Sequence, residues 1–141
     1  MKEILIVSQN NACRSAMAEG WCKYYARGAA NVTSAGIEPT QLDLNEAQSM
    51  MDAVIDITKH QPKSLKSLTD KEFDIVLVLD NKVAKTASSN LQYKNLYVFH
   101  FDSPKAAKSD DSLTRKAYDT LRDDIENWAF DFIHQHIKRL M

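Results

Sequence analysis

The stretch ILIVSQNNACRSAMAEG, residues 4–20, constrains this chain more than any other. Ile4 to Val7 is an unbroken apolar run with no face to offer water, which predicts a first strand over Glu3 to Val7, central in a parallel sheet. The run stops at Ser8. A polar loop follows and passes through Arg14 into a helical pattern, in which Met17, Trp21, Tyr24 and Tyr25 recur at three- and four-residue spacing. A segment that leaves a strand and enters a helix presents unpaired backbone N–H groups, and the helix dipole adds positive potential at the same place. Arg14 adds a planar guanidinium able to hold two oxygens at once. Asn10, Asn11 and Ser15 are small polar residues that brace such a loop.

Beyond residue 28 the chain alternates short apolar runs with helical periodicity, the order expected of βαβ units around a parallel sheet. Val32 to Ala35, Asp74 to Leu79 and Leu96 to Phe101 are the further predicted strands. Helices are predicted over 14–27, with Gly28 as the stop, from about Asn45, weakly over 81–89, and from Ser112 or Leu113 to the end. The last carries Tyr118, Leu121, Ile125, Trp128, Phe132, Ile137 and Leu140 on one stripe. A Pro62-opened short helix or turn is predicted between residues 56 and 73. The fold class is therefore α/β: one doubly wound, four-stranded parallel sheet flanked by helices, a single domain over residues 1–141. In such sheets ligands bind at the carboxyl ends of the strands, where Ser8 to Arg14 falls.

Composition narrows the partners. With 18 basic and 19 acidic residues the net charge is −1, so no global field recruits nucleic acid or an acidic membrane, and any anion site is local. No apolar stretch approaches the roughly 20 residues of a membrane span, and the start carries no signal-peptide layout, so a cytoplasmic protein is expected. Cys13 and Cys22 would lie about 13 Å apart on one helix, too far to pair. No metal or cofactor is expected. His134 and His136 are two apart on a helix and diverge, and no Cys/His cluster has ligand spacing. His60 is expected to hydrogen-bond locally, and His100 lies nearer the presumed site. Asp110 and Asp111 are expected to cap the last helix.

Taken alone, SQNNACRS is equally an ordinary βα loop, with Ser8 a polar strand end and Arg14 a solvated charge. Several motifs in register change that balance. Ser8-Gln9-Asn10-Asn11-Ala12-Cys13-Arg14-Ser15, the following SAMAEG, SAGIEP at 34–39, DITKHQPKSL at 56–65, FDIVLVLD at 73–80 and FDSP at 101–104 resemble the low-molecular-weight protein tyrosine phosphatases and the related thioredoxin-coupled arsenate reductases. The resemblance implies a phosphotyrosine phosphatase I-like fold. It implies that Arg14 clamps an oxyanion and that loop amides from Gln9 to Arg14, Ala12 and Cys13 included, cradle it. Asn11 and Ser15 would shape the loop, Ser15 also bonding the atom at position 8. Cys13 falls on an accessory position, and Ser34 and Glu19 pack behind the loop.

Two departures bear on chemistry. Where that family has its nucleophilic cysteine, this chain has Ser8, and a hydroxyl stays protonated without an adjacent base. Losing such a nucleophile costs on the order of 10⁶ in rate. Where the family has its general acid, immediately before a proline, this chain has Ser103, with Asp102 one residue earlier. Neighbouring side chains of an extended segment point opposite ways, so Asp102 serves as acid only if the loop is shifted. The tyrosines after the proline are replaced by Lys105 and Ala106, and LDNKVAKTASSN at 79–90 lacks the reductases' relay cysteines.

Three readings follow. The first is a catalytically silent binder of a phosphate- or arsenate-like oxyanion or a phosphorylated ligand. The second is a tyrosine phosphatase whose nucleophile was changed to Ser8. The third, a flavodoxin-like electron carrier, needs aromatic residues that Tyr93 and Tyr97 supply poorly.

Overall fold

Strand β1, Lys2–Ser8, sits inside the sheet for the reason its sequence gives: Ile4 to Val7 are all wholly buried. It pairs in parallel with β2, Ala30–Gly36, on one side and with β3, Glu72–Val78, on the other, and β4, Gln92–Val98, adds to β3. The order is β2-β1-β3-β4, with Ser8 opposite Gly36. The computed structural model describes residues 1–104 and 111–137.

Alternation along β1 divides the core into two faces. Ile4 and Ile6 pack with residues of α1 (Arg14–Ala26), α2 (Leu44–Asp52) and α4 (Asp111–His136), among them Met17, Met50 and Ile125. Leu5 and Val7 face the other way, against Leu65, Val83, Leu91 and Ala87 of α3 (Ala84–Asn90). Helices thus cover both faces, which is the doubly wound arrangement expected. Among the described residues no helix is long and apolar enough to cross a membrane.

Several boundaries differ from the sequence reading. The fourth strand is Gln92–Val98 and not Leu96–Phe101. It is an edge strand, so polar Gln92, Lys94 and Asn95 cost nothing there and conceal it from an apolar pattern. Past Val98 single bonds continue, from Phe99 N to Val78 O (2.8 Å) and Phe101 N to Leu79 O (3.0 Å). Pro62 opens no helix. Lys63 O accepts from Gly36 N (2.9 Å), Ser64 bridges Gly36 in parallel, and a 3₁₀ turn starts only at Leu65, capped by Ser64. The weak helix over 81–89 splits into a 3₁₀ turn, Asn81–Val83, capped by Asp80, and α3. Helix α1 closes on Arg27 in the left-handed region (φ 48°) followed by Gly28 (φ 83°). The readings at Lys105, Ala106, Asp110 and Leu140 lie outside the described residues.

Candidate functional site

The loop between β1 and α1 is shaped by where its carbonyls go. Ser8 O accepts from Ile37 N (3.3 Å), Gln9 O from Glu38 N (2.9 Å), Asn10 O from Thr40 N (3.2 Å) and Ala12 O from Asp43 N (3.1 Å). Asn11 O meets His60 Nε2 at 3.1 Å. Residues 37–43 therefore form an outer strap that draws the carbonyls outward. The amides of Gln9, Asn10, Ala12 and Cys13 donate to no acceptor among the described residues, and the first amides of α1 have no intrahelical acceptor by geometry. Cys13, the residue before α1, makes no side-chain cap. Gly36 permits the strap to lie so close: a Cβ there would stand 2.7 Å from Asn11 N and 2.8 Å from Asn10 C.

Behind the loop lies a polar network. Asn11 takes a left-handed backbone (φ 53°), a conformation asparagine tolerates better than most residues. Its buried amide donates to Ser15 Oγ (2.9 Å) and Ser34 Oγ (2.8 Å) and accepts from Lys63 N (3.0 Å). Ser34 Oγ donates to Glu19 Oε1 (2.9 Å), and His60 Nδ1 stands 3.6 Å from Glu19 Oε2. Burial alone would raise the Glu19 carboxyl. The His60 hydrogen bond, the Lys23 charge and Ser34 outweigh it and hold the group down at about 2. His60 thus bonds across 49 residues and not locally as expected, because the turn at 57–60 swings its ring under the loop.

Ser8 Oγ sits at the loop's base, buried, 2.6 Å from Ser15 Oγ and 3.3 Å from Asn11 N. No imidazole or carboxylate among the described residues touches it, so nothing takes its proton. Cys13 does not replace it. Burial first, then the negative potential of Glu46 and Asp43, push its thiol far above the ordinary range against the pull of Arg14. Both cysteines are unpaired.

Arg14 is not a solvated charge. Its guanidinium pairs with Asp80 Oδ2 at 3.0 Å and donates to Phe101 O at 2.9 Å, which fixes the plane while three of its five N–H groups stay uncommitted to these partners. Burial opposes ionisation of Asp80, but the Lys82 amide, Arg14 and His100 together lower its pKa. A cleft of about 350 Å³ opens here, with Ser8, Asn10, Ala12, Cys13 and Arg14 on one side. Asp43, Tyr118, Ser103 and Pro104 complete its wall. The size suits an oxyanion together with part of the group that carries it.

Asp102 does not line this cleft. His100 Nδ1 accepts from Asn81 N (3.0 Å), so Nε2 donates to Asp102 Oδ1 (2.8 Å) and holds that exposed carboxylate away. Gln9, expected in the cradle, is likewise absent from the wall, as are Asn11 and Ser15, which brace the loop from behind. Sequence reasoning missed Asp43 and Tyr118. Asp43 Oδ1 caps α2 at Asn45 N (3.0 Å), a signal readable as an N-cap, while its Oδ2 accepts from Tyr118 Oη (2.5 Å), which no spacing reveals. It also missed Glu46, whose wholly buried carboxyl has no hydrogen-bond partner among the described residues. Burial, then Asp43, raises that group to about 9.

Fold and cleft together define the class: a small parallel α/β protein whose site opens at the carboxyl end of its central strand. The chain belongs to the low molecular weight phosphotyrosine protein phosphatase family, whose model matches residues 3–140. It is 30% identical to an arsenate reductase of Bacillus subtilis (strain 168) over 131 residues, 93% of this chain and 94% of that one. Among solved structures it resembles an arsenate reductase in the phosphate binding state, with TM-score 0.75, 22% identity and coverage of 96% and 98%. It also resembles a cysteine-to-serine mutant of the YwlE arginine phosphatase with a phosphorylated active site serine, with TM-score 0.74, 21% identity and 94% of each chain covered.

Proposed function

We propose that this chain binds a phosphate- or arsenate-like oxyanion in the cleft above Ser8 and does not turn it over. One observation carries the reading: the carbonyls of residues 8–12 are all taken by residues 37–43 or by His60, leaving the loop's amides and Arg14 for the cleft. Each charge-assisted hydrogen bond contributes about 1.5–3 kcal/mol before association costs, so five or six support micromolar to millimolar affinity. Silence follows from a hydroxyl without a base at position 8, and from Ser103 in the cleft wall where an acid would stand. That a relative is described with phosphate bound supports the ligand class. Two unpaired thiols suit a cytoplasmic location.

The test is calorimetric titration with phosphate, sulfate, arsenate and vanadate, on the unaltered chain and on Arg14→Lys. The lysine keeps the charge and loses the two-oxygen grip, so affinity is expected to fall about tenfold or more. Equal affinity in both chains would place the bound anion elsewhere.

A second reading, a phosphatase with an altered nucleophile, is favoured by the phosphorylated serine of the YwlE mutant. It predicts incorporation of phosphate at Ser8 when the chain is incubated with an aryl phosphate, visible as a mass increase.

A further inference from the structure

Beside His60 and Glu19, sharing no lining residue with the cleft, lies a larger cavity of about 570 Å³. Lys23, Lys59, Lys63 and His60 line it, with Ile55 and Ile57 as an apolar wall. Two carboxylates share the cavity, but both are committed. Glu19 is held by Ser34, Lys23 and His60, and Asp56 accepts from Thr58 N (2.9 Å) and Thr58 Oγ1 (2.6 Å). The ammonium groups of Lys59 and Lys63 make no hydrogen bond or ion pair with any described residue, the Lys59 charge acting only at longer range on Asp56, whose carboxyl it helps to lower. Lys63 is anchored through its backbone alone, its N–H on Asn11 Oδ1 and its C=O on Gly36 N.

We propose that this cavity is a second anion site, which takes a small organic dianion with an apolar flank. Lys59 and Lys63 would supply the two charges such a ligand needs, and Ile55 and Ile57 would cover its apolar part. A monoanion uses only half of that charge, and inorganic phosphate leaves the isoleucine wall in water. The floor of the cavity is continuous with the loop, because His60 and Lys63 both hold Asn11.

The experiment is a two-dimensional amide NMR titration of the full chain with phenyl phosphate, inorganic phosphate and benzoate, repeated on Lys59→Gln/Lys63→Gln. Lys59 is exposed, and the bonds of Lys63 are made by its backbone, which glutamine keeps, so this variant is expected to fold. Phenyl phosphate is expected to shift amides at 19–23 and 55–63 and to bind there more tightly than either comparator. The double variant is expected to weaken that binding about fivefold or more while leaving shifts at 8–15 in place. Shifts confined to 8–15, or shifts at 55–63 that the double variant leaves unchanged, would overturn the proposal. Shifts at 55–63 without any at 8–15 would support it and contradict the reading of the cleft, so the two claims fail separately.

Discussion

At the residue scale the departures from the family pattern were legible, and their surroundings were not. Ser8 and Ser103 are readable because the resemblance fixes which atoms those positions need. With Ser8→Cys a thiol enters a site with an uncapped helix start and a fixed guanidinium, and slow hydrolysis of phenyl phosphate is expected to appear. Adding Ser103→Asp is expected to raise that rate by a further 10²–10⁴, on the order of what leaving-group protonation contributes. Steady-state assays of the single and double variants check both steps, and equal rates would show that Ser103 is not the acid position. Glu46 was illegible for a specific reason. Asp43-Leu44-Asn45-Glu46 reads as a capping box, in which Glu46 would reach back to the Asp43 N–H. That N–H is instead taken by Ala12 O, so the carboxyl is left buried without a hydrogen-bond partner among the described residues.

At the element scale, β1 and its loop could be read directly, because a doubly apolar strand carries a strong local pattern. The extent of α1 was legible too, but not its buried face: of the expected stripe Met17 and Trp21 are buried while Tyr24 is half exposed, and Ala18, Cys22 and Ala26 fill the core instead. The strap at 37–43 and the segment at 57–64 could not be read. They are irregular, and their roles come from bonds to a loop some 30 to 50 residues away in sequence, which no periodicity records. Gly36 is where these elements meet. In Gly36→Ala the new methyl would overlap backbone atoms of residues 10 and 11, which cannot rotate aside as a side chain would. Loss of anion binding is expected, with destabilisation of about 1–3 kcal/mol. Thermal melts and the same calorimetric titration check this, and an unchanged affinity would show that the loop does not depend on the strap.

At the scale of the whole molecule, a wholly buried carboxyl, Glu46, and a partly buried one, Glu19, set the pH dependence of stability in opposite senses. Glu46 is raised from 4.5 to about 9, so the folded state binds the extra proton between those values and stability falls as pH rises through them. Glu19 is lowered to about 2, so its contribution is present above 4.5 and is lost as pH falls towards 2. Maximum stability is therefore expected near pH 5, with roughly 2–4 kcal/mol less at pH 8. Denaturant titrations across that range check it, and Glu46→Leu is expected to flatten the fall between pH 5 and pH 8. A slope unchanged by the substitution would show that another group titrates.

The most direct measurement is a crystal structure of the unaltered chain soaked with tungstate or vanadate. The expected result is one oxyanion above Ser8, its oxygens about 2.7–3.1 Å from amides of residues 9–14 and from the Arg14 guanidinium. An empty cleft at saturating anion, or a loop whose amides have turned to protein carbonyls, would contradict the account.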